Sequence, residues 1–221
     1  MATPTVEGYL EIIYMMSVEE QAVIGARLAE SLHVSRPTVT TTLKRMVRDG
    51  FIKLDAHKAI TLTPKGQAIA ERLQRRHRVV ERWLTDVLGL DWSKSDAEAH
   101  QLEHAMSDEV TEALNKHLGY PATCPHGNPI PGNVRSARAD SQVFQLSQAN
   151  EGDRVTVVRI SEYAENVSEL LDYLGKRGVM PGAALTVAEI APLKGPLTLK
   201  LGTKVTSMSR EVAGFVWVKR E

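Results

Sequence analysis

Midway along this chain the spacing of apolar residues changes from that of helices to that of strands. The change falls at a stretch crowded with Pro and Gly. Before residue 119 apolar positions recur at helical spacing, and after residue 138 they alternate. Between them, Pro121, Pro125, Pro129, Pro131, Gly127 and Gly132 mark a linker. One layer of either kind cannot bury both patterns, so the chain is expected to be mainly α with a small β domain at its C-terminal end. Strands are expected at Arg154–Ile160, Ala184–Ile190, Leu197–Leu201 and Phe215–Val218, with one helix, Asn166–Arg177, between the first two. Helical spacing covers Val6–Met16 and a long stretch from Lys65 to Leu118 that breaks near Gly89–Ser95.

No apolar run approaches the roughly 18 residues that a membrane span needs. Met1–Glu7 lacks the basic-then-apolar order of a secretory leader. The single cysteine, Cys124, excludes an internal disulfide framework and fits a reducing compartment, so a cytoplasmic protein without a membrane partner is expected. Lys and Arg together number 27, as do Asp and Glu, so net charge selects no partner. Local charge does. Between Gln21 and Lys58 stand seven basic residues (Arg27, Arg36, Lys44, Arg45, Arg48, Lys53, Lys58) and three acids (Glu30, Asp49, Asp55). A solvated surface is the plain reading of such a run, and a nucleic-acid face is the sharper one.

The elements within that run favour the sharper reading. Ile24–Leu32 reads as a short helix, and His33–Val34–Ser35 breaks it. Ser35 is a good N-cap, and Pro37 sits in the following first turn, where its missing N–H costs nothing. The second helix runs to about Asp49, with Gly50 as its stop. Val39, Leu43 and Met46 share one face of it, and Thr38, Thr41, Arg45 and Arg48 the other. Hydroxyls, methyls and guanidinium forks are what phosphates and base edges require. Phe51–Leu54 and Ala59–Leu62 then alternate like a hairpin, with Asp55–Lys58 at its tip. Two helices and a wing make a winged helix-turn-helix, which predicts binding to double-stranded DNA.

A second constellation points to a metal. His100, Glu103 and His104 lie at i, i+3 and i+4, on one helix face with Asp96. His77 and Glu81 form an i, i+4 pair on the preceding helix, and Glu7 and Glu11 another near the N-terminus. Any one set reads plainly as a solvated face, but three sets on helices that pack together are harder to dismiss. Imidazole and carboxylate suit Mn(II), Fe(II), Co, Ni or Zn, and the lack of thiolates removes the softest ions. His100–His104 also resembles the inverted zinc-protease signature, but beside a helix-turn-helix in so small a chain, with no evident substrate cleft, a hydrolase is disfavoured. Met15, Met16, Trp83 and Trp92 are read as packing residues, and Cys124 as a bystander.

Five ordered segments resemble the diphtheria toxin repressor family of iron- and manganese-dependent regulators. They are Ser35–Val39, Arg45–Gly50, Arg76–Arg82, Glu103–Val110 and Gly127–Gly132. The resemblance spans essentially the whole chain. It implies a winged helix-turn-helix over 1–72, a helical metal-binding and dimerisation domain over 73–140 with its linker at 119–145, and an SH3-like domain over 146–221. It also implies a homodimer that binds palindromic operators when loaded with metal and represses uptake genes. By motif, His77, Glu81, Glu103 and His104 match metal ligands. Glu162 and Glu165 match the positions where the SH3-like domain reaches an ancillary metal. Thr5, Ser35, Arg45 and Arg48 match phosphate contacts, Pro37, Thr38 and Thr41 lie at the base-reading end, and Lys58 sits on the wing.

Three positions depart from the iron-sensing pattern: Gly8 where Met or Asp is usual, His100 where Cys is usual, and Asp96 where an ancillary His is common. Losing thioether and thiol hardens the site, which favours Mn(II), with Fe(II) as the alternative. The expected primary site is Glu11, His100, Glu103 and His104, and the ancillary site His77, Glu81, Asp96, Glu162 and Glu165. Glu11 belongs to the DNA-binding domain and the rest of the primary set to the helical one, so a shared ion would strap the two together. A winged-helix regulator answering an organic ligand, with these carboxylates and imidazoles merely structural, is the competing reading within DNA binding. A metalloenzyme is the competing class.

Overall fold

The computed structural model describes residues 3–19, 22–134, 142–162 and 168–221. Helix α1 (Pro4–Val18) begins on a proline and buries Val6, Tyr9, Leu10, Ile13, Tyr14 and Met16. Helices α2 (Gly25–Ser31) and α3 (Arg36–Arg48) follow. Ser35 caps α3 by accepting from the Thr38 amide at 3.3 Å, and Gly50 ends it with φ of 74°. Val39, Leu43 and Met46 turn inward against Leu10, Ile13 and Leu28 in one apolar core. The wing is the antiparallel pair β1 (Ile52–Leu54) and β2 (Ile60–Leu62), in register Ile52 with Leu62. Helix-turn-helix and wing thus form as the periodicity predicts.

Helix α4 (Pro64–Asp86) is 23 residues long and carries the chain out of this core. Its start is clamped to the wing. Thr63 caps it and donates to the carbonyls of Gly50 and Phe51 at 2.7 and 3.0 Å. A Cβ at Gly66 would lie 2.1 Å from the Phe51 carbonyl oxygen, so only glycine allows that approach. Helices α5 (Trp92–Glu103) and α6 (Asp108–His117) pack against α4. The helical stretch therefore breaks twice. The second break, at Ala105–Ser107, carries no Pro or Gly; Ser107 makes it by capping α6, accepting from the Val110 amide at 3.2 Å.

The Pro-rich stretch holds two isolated β-bridges and no helix or strand over residues 119–134, but it is more than a linker. Arginines of α4 pin it: Arg75 donates to the Pro131 carbonyl at 2.7 Å, Arg82 to those of Thr123 and Cys124 at 3.0 and 3.1 Å, and Arg78 to that of Pro129. Its far side docks on the C-terminal domain. The His126 carbonyl accepts from the Ile160 amide at 2.9 Å, and Asn128 Nδ2 donates to the Ile160 carbonyl at 3.0 Å.

That domain is a six-stranded antiparallel sheet in the order β3-β8-β4-β5-β6-β7. The strands are β3 (Val143–Gln145), β4 (Arg154–Ile160), β5 (Ala184–Ile190), β6 (Leu197–Leu201), β7 (Lys204–Met208) and β8 (Val216–Arg220). Helix α7 (Ser168–Arg177) lies between β4 and β5, and the single turn α8 (Arg210–Ala213) precedes β8. Four strands fall where alternation places them. Residues 166 and 167, at the start of the expected helix, lie outside the described residues. The short strand β3 and the mostly exposed β7 were not anticipated, because neither buries an alternating face. A bulge in β4 between Val157 and Arg159 turns Val158 toward the Pro-rich stretch, which we call the strap, where a Cβ at Gly127 would lie 2.2 Å from its carbonyl oxygen. Trp92, the first residue of α5, is buried in the core of this β domain, not in that of its own helices.

Candidate metal centre and DNA-reading face

The centre forms where three helices bring polar groups together, most of them buried and His100 exposed at the rim. α1 contributes Glu11, α4 contributes Gln74, His77 and Glu81, and α5 contributes Asp96, His100 and Glu103. Helical spacing explains each set: residues three or four apart stand on one face. Ligand atoms of Glu11, His77, His100 and Glu103 all lie within 4.8 Å of one another, as do those of His77, Glu81 and Asp96. His77 is the hinge of the two sets. Its Nδ1 is 2.7 Å from Glu103 Oε2, and its Nε2 is 3.2 Å from Asp96 Oδ1 and 3.8 Å from Glu81 Oε2. The sequence reading placed His77 in the ancillary set alone, because only packing shows that both ring nitrogens meet carboxylates.

The remaining candidates sort by position. His100 Nδ1 lies 3.2 Å from Glu103 Oε1. His104 stands at the edge, half-buried, between Glu7 (3.5 Å) and Glu103 (3.4 Å), outside the tight four-residue cluster. Glu162 lines the same cleft as Glu11, His77 and Asp96, but its carboxylate is taken by a buried ion pair with Arg78, whose Nε is 2.9 Å from Oε1. Glu165 lies outside the described residues. Met15, read as packing, also lines the cleft.

A third group escaped the sequence reading. Ligand atoms of Glu81, Cys124 and His126, all buried, lie within 4.8 Å of one another. His126 Nδ1 is 2.9 Å from Glu81 Oε1, and its other nitrogen is 2.9 Å from the Trp92 carbonyl. The signal was a Cys-x-His spacing inside the Pro-rich stretch. A thiol is therefore not foreign to this region.

Glu81 and Glu103 have no exposed surface and Glu11 has 5%. Burial, then the Glu103 charge, pushes the Glu11 carboxyl up to about 8. Burial works against a charged His77, but Glu81 and hydrogen bonds to Asp96 and Glu103 outweigh it and hold the ring's pKa well above 6.5. Glu103 resists burial through His100 and His77 and stays below the usual carboxylate range. So many buried acids exceed their local cations, and a divalent cation is the species such a donor set fits.

The protonation states give a testable pH dependence. For Glu11 and His77 the folded pKa is raised, so the stability they contribute is present below their unfolded values, 4.5 and 6.5, and is lost as pH rises through the folded ones. Metal-free protein in chelator is expected to melt at progressively lower temperature from about pH 5 to pH 8. Excess Mn(II) should reverse that trend, because cation binding displaces the same protons. Scanning calorimetry at three pH values checks this. A metal-free melting temperature that rises over the interval contradicts it.

On the DNA-binding domain, Ser35, Pro37, Thr38, Thr41, Arg45 and Arg48 are all exposed along α3 and its cap. Thr5, at the start of α1, and Lys58, on the wing with φ of 61°, are exposed as well. Arg48 pairs with Asp49 at 2.9 Å, which softens its charge.

Three family models match successive parts of the chain. Residues 1–60 match the family model for the iron-dependent repressor N-terminal DNA-binding domain. Residues 63–132 match that for the iron-dependent repressor metal-binding and dimerisation domain, and 144–220 the FeoA domain. The iron-dependent repressor IdeR of Mycobacterium leprae (strain TN) is 36% identical over 224 residues, spanning 98% of this chain and 97% of the relative. This chain belongs to the iron-dependent repressor family.

The diphtheria toxin repressor of Corynebacterium diphtheriae is 34% identical over 216 residues, 95% of this chain and 94% of its own. Among solved structures, a manganese-dependent transcriptional repressor in complex with manganese superposes with a TM-score of 0.86 at 29% identity, covering 98% of this chain and all of the other. The manganese regulator SloR gives 0.81 at 29% identity over the whole of both chains. The iron-dependent repressor architecture expected from the sequence stands: winged helix-turn-helix, helical domain and SH3-like β domain.

Proposed function

We propose that this chain is a cytoplasmic, non-enzymatic transcriptional repressor. Loaded with Mn(II), it binds palindromic operator DNA as a homodimer and controls metal-uptake genes. One observation carries the reading: Glu11, from the first helix of the DNA-binding domain, joins His77, His100 and Glu103 of the helical domain within 4.8 Å. A divalent cation held there supplies the positive charge that these buried carboxylates lack. Glu11 then ties α1 to α4 and α5, and so fixes the angle at which each α3 leaves the dimer. That angle matters because half-sites recur at a helical turn or its multiples. Val87, Leu88 and Val110 are exposed on the helical domain and offer apolar surface to a second copy. No helix among the described residues is long and apolar enough to cross a membrane.

The donors of the Glu11 cluster are two imidazoles and two carboxylates, which suit Mn(II). Cys124, beside Glu81 and His126, favours a softer ion and supports the second reading, an Fe(II)-dependent repressor. Titrating operator affinity against Mn(II) and, without oxygen, against Fe(II) separates the two. Affinity lost on dialysis against chelator and regained with metal is the expected result. Affinity indifferent to metal would leave the organic-ligand regulator, and turnover without DNA binding the metalloenzyme.

Arg45, Arg48, Thr5 and Ser35 are assigned to phosphates, Lys58 to the wing's contact, and Pro37, Thr38 and Thr41 to base edges. Arg45→Ala is expected to weaken specific and non-specific binding alike and to reduce the salt slope by about one unit. Thr41→Ala should instead relax preference at one base pair. Binding isotherms at several salt concentrations decide it, and an unchanged slope for Arg45→Ala removes the assignment.

A further inference from the structure

We propose that the side-chain amide of Gln74 is part of the metal centre, its Oε1 serving as a neutral oxygen ligand beside Glu11, His77, His100 and Glu103. This rests on the metal-activated reading above and deepens it. Gln74 precedes His77 by three residues on α4, so the two share a helix face. It is 2% exposed and lines the narrow cleft, about 50 Å³, that Glu11, His77, Asp96 and His100 also line. Its Nε2 donates to Glu11 Oε1 at 3.0 Å. With Nε2 given to Glu11, Oε1 of the same planar amide is directed away from it.

That oxygen is buried and accepts no hydrogen bond. Leaving such a group unpaired is unfavourable, a cost an apolar residue at the same place would not carry. A ligand role accounts for it. Position 8 bears no side chain, although a Cβ there would meet nothing within 4 Å, so packing does not demand the glycine. The α1 face that carries Glu11 therefore brings one donor fewer than it has room for, and Gln74 brings an oxygen from the opposite helix.

Chemistry then sets the preference. Glu11 and Glu103 already balance a divalent charge, and a carboxamide raises the donor number without adding charge. Tetrahedral Zn(II) is satisfied by the four other residues. Mn(II) prefers six donors, mostly oxygen, and gains from the fifth. Gln74 thus acts as a specificity-determining residue that favours Mn(II) over Zn(II).

The test uses the full-length chain, freed of metal, with the metals alone as probes. Calorimetric titrations with Mn(II) and Zn(II) are run on wild type, Gln74→Leu and Gln74→Glu, and visible spectra are taken with Co(II) in their place. Gln74→Leu is expected to weaken Mn(II) by about 10- to 100-fold and Zn(II) far less. Its Co(II) bands should intensify as the donor number falls, with no drop in metal-free melting temperature. Gln74→Glu keeps an oxygen but loses the N–H to Glu11, and should retain Mn(II) binding and the weak Co(II) bands. Equal losses for Mn(II) and Zn(II), or a Co(II) spectrum unmoved by Gln74→Leu, would reduce Gln74 to a prop for Glu11 and overturn the proposal. So would a Gln74→Glu variant as weak as Gln74→Leu. Failure of the wild type itself to bind Mn(II) would instead sink the functional reading on which the proposal stands.

Discussion

Glu11→Gln is expected to lower the operator affinity of Mn(II)-loaded protein by about 100-fold, at the upper end of ordinary allosteric coupling. The metal-free protein should remain folded and as weakly bound to DNA as before. The asymmetry follows from the protonation state. With its pKa pushed up to about 8, Glu11 is mostly protonated in metal-free protein at neutral pH, and Gln has nearly the shape of a protonated Glu. The loss arises only when the carboxylate is needed as an anion. Glu11 is the one residue of the tight cluster that comes from the DNA-binding domain, so without its charge nothing in that cluster distinguishes a docked from an undocked α1. A cation with equal affinity for both arrangements shifts neither. Electrophoretic or anisotropy titrations of operator DNA across a Mn(II) series measure this. An unchanged midpoint and amplitude would show that the metal link between the domains does not run through Glu11.

Arg78→Ala is expected to cost about 3–5 kcal/mol, the usual penalty for stranding a buried charge. Arg78 is 2% exposed and holds Glu162 of the β domain and the Pro129 carbonyl of the strap. Its removal takes from buried Glu162 the only cation that contacts it directly among the described residues. Glu162 is also anchored from the other side, since its backbone amide donates to Glu19 Oε1 at 3.1 Å. Glu19, at the end of α1, accepts from Ser161 Oγ at 2.7 Å and pairs with Arg159 at 3.3 Å. Residues 159–162 therefore touch the DNA-binding domain, α4 and the strap at once, and damage there should loosen all three. For a chain of this length the melting temperature should fall by roughly 10 °C. Combining Arg78→Met with Glu162→Met should recover much of it, because no charge is then left unpaired. Calorimetry on the single and double variants decides. A double variant as unstable as Arg78→Ala would mean that packing, not charge, is at stake.

Much that is local in this protein is legible in neighbouring residues. Ser35 and Pro37 start α3 because capping and the first turn involve residues within a few positions. The wing and the four core strands appear in the alternation itself. His77 with Glu81, and His100 with Glu103, follow from the geometry of one helix turn. What neighbours cannot specify is which of these faces meet. His77 and Glu103 are 26 residues apart, and Arg78 and Glu162 are 84 apart. Their pairing depends on how α4, α5 and β4 pack, which is decided by apolar burial summed over the whole chain. The Pro-rich stretch shows the difference most clearly. Its composition describes only what it does not form, a helix or a strand. Its role as a strap, and the meeting of Cys124 and His126 with Glu81, exist only because α4 presents arginines to its carbonyls and β4 bulges at Val158 to receive Gly127. The docking of Trp92 into the β domain was hidden for the same reason. Neighbouring residues suffice for most elements, for the cap of α3 and for the chemistry of each helix face. The tertiary structure decided which donors share one centre, because convergence is a property of packing between segments and leaves no periodic trace within any one of them.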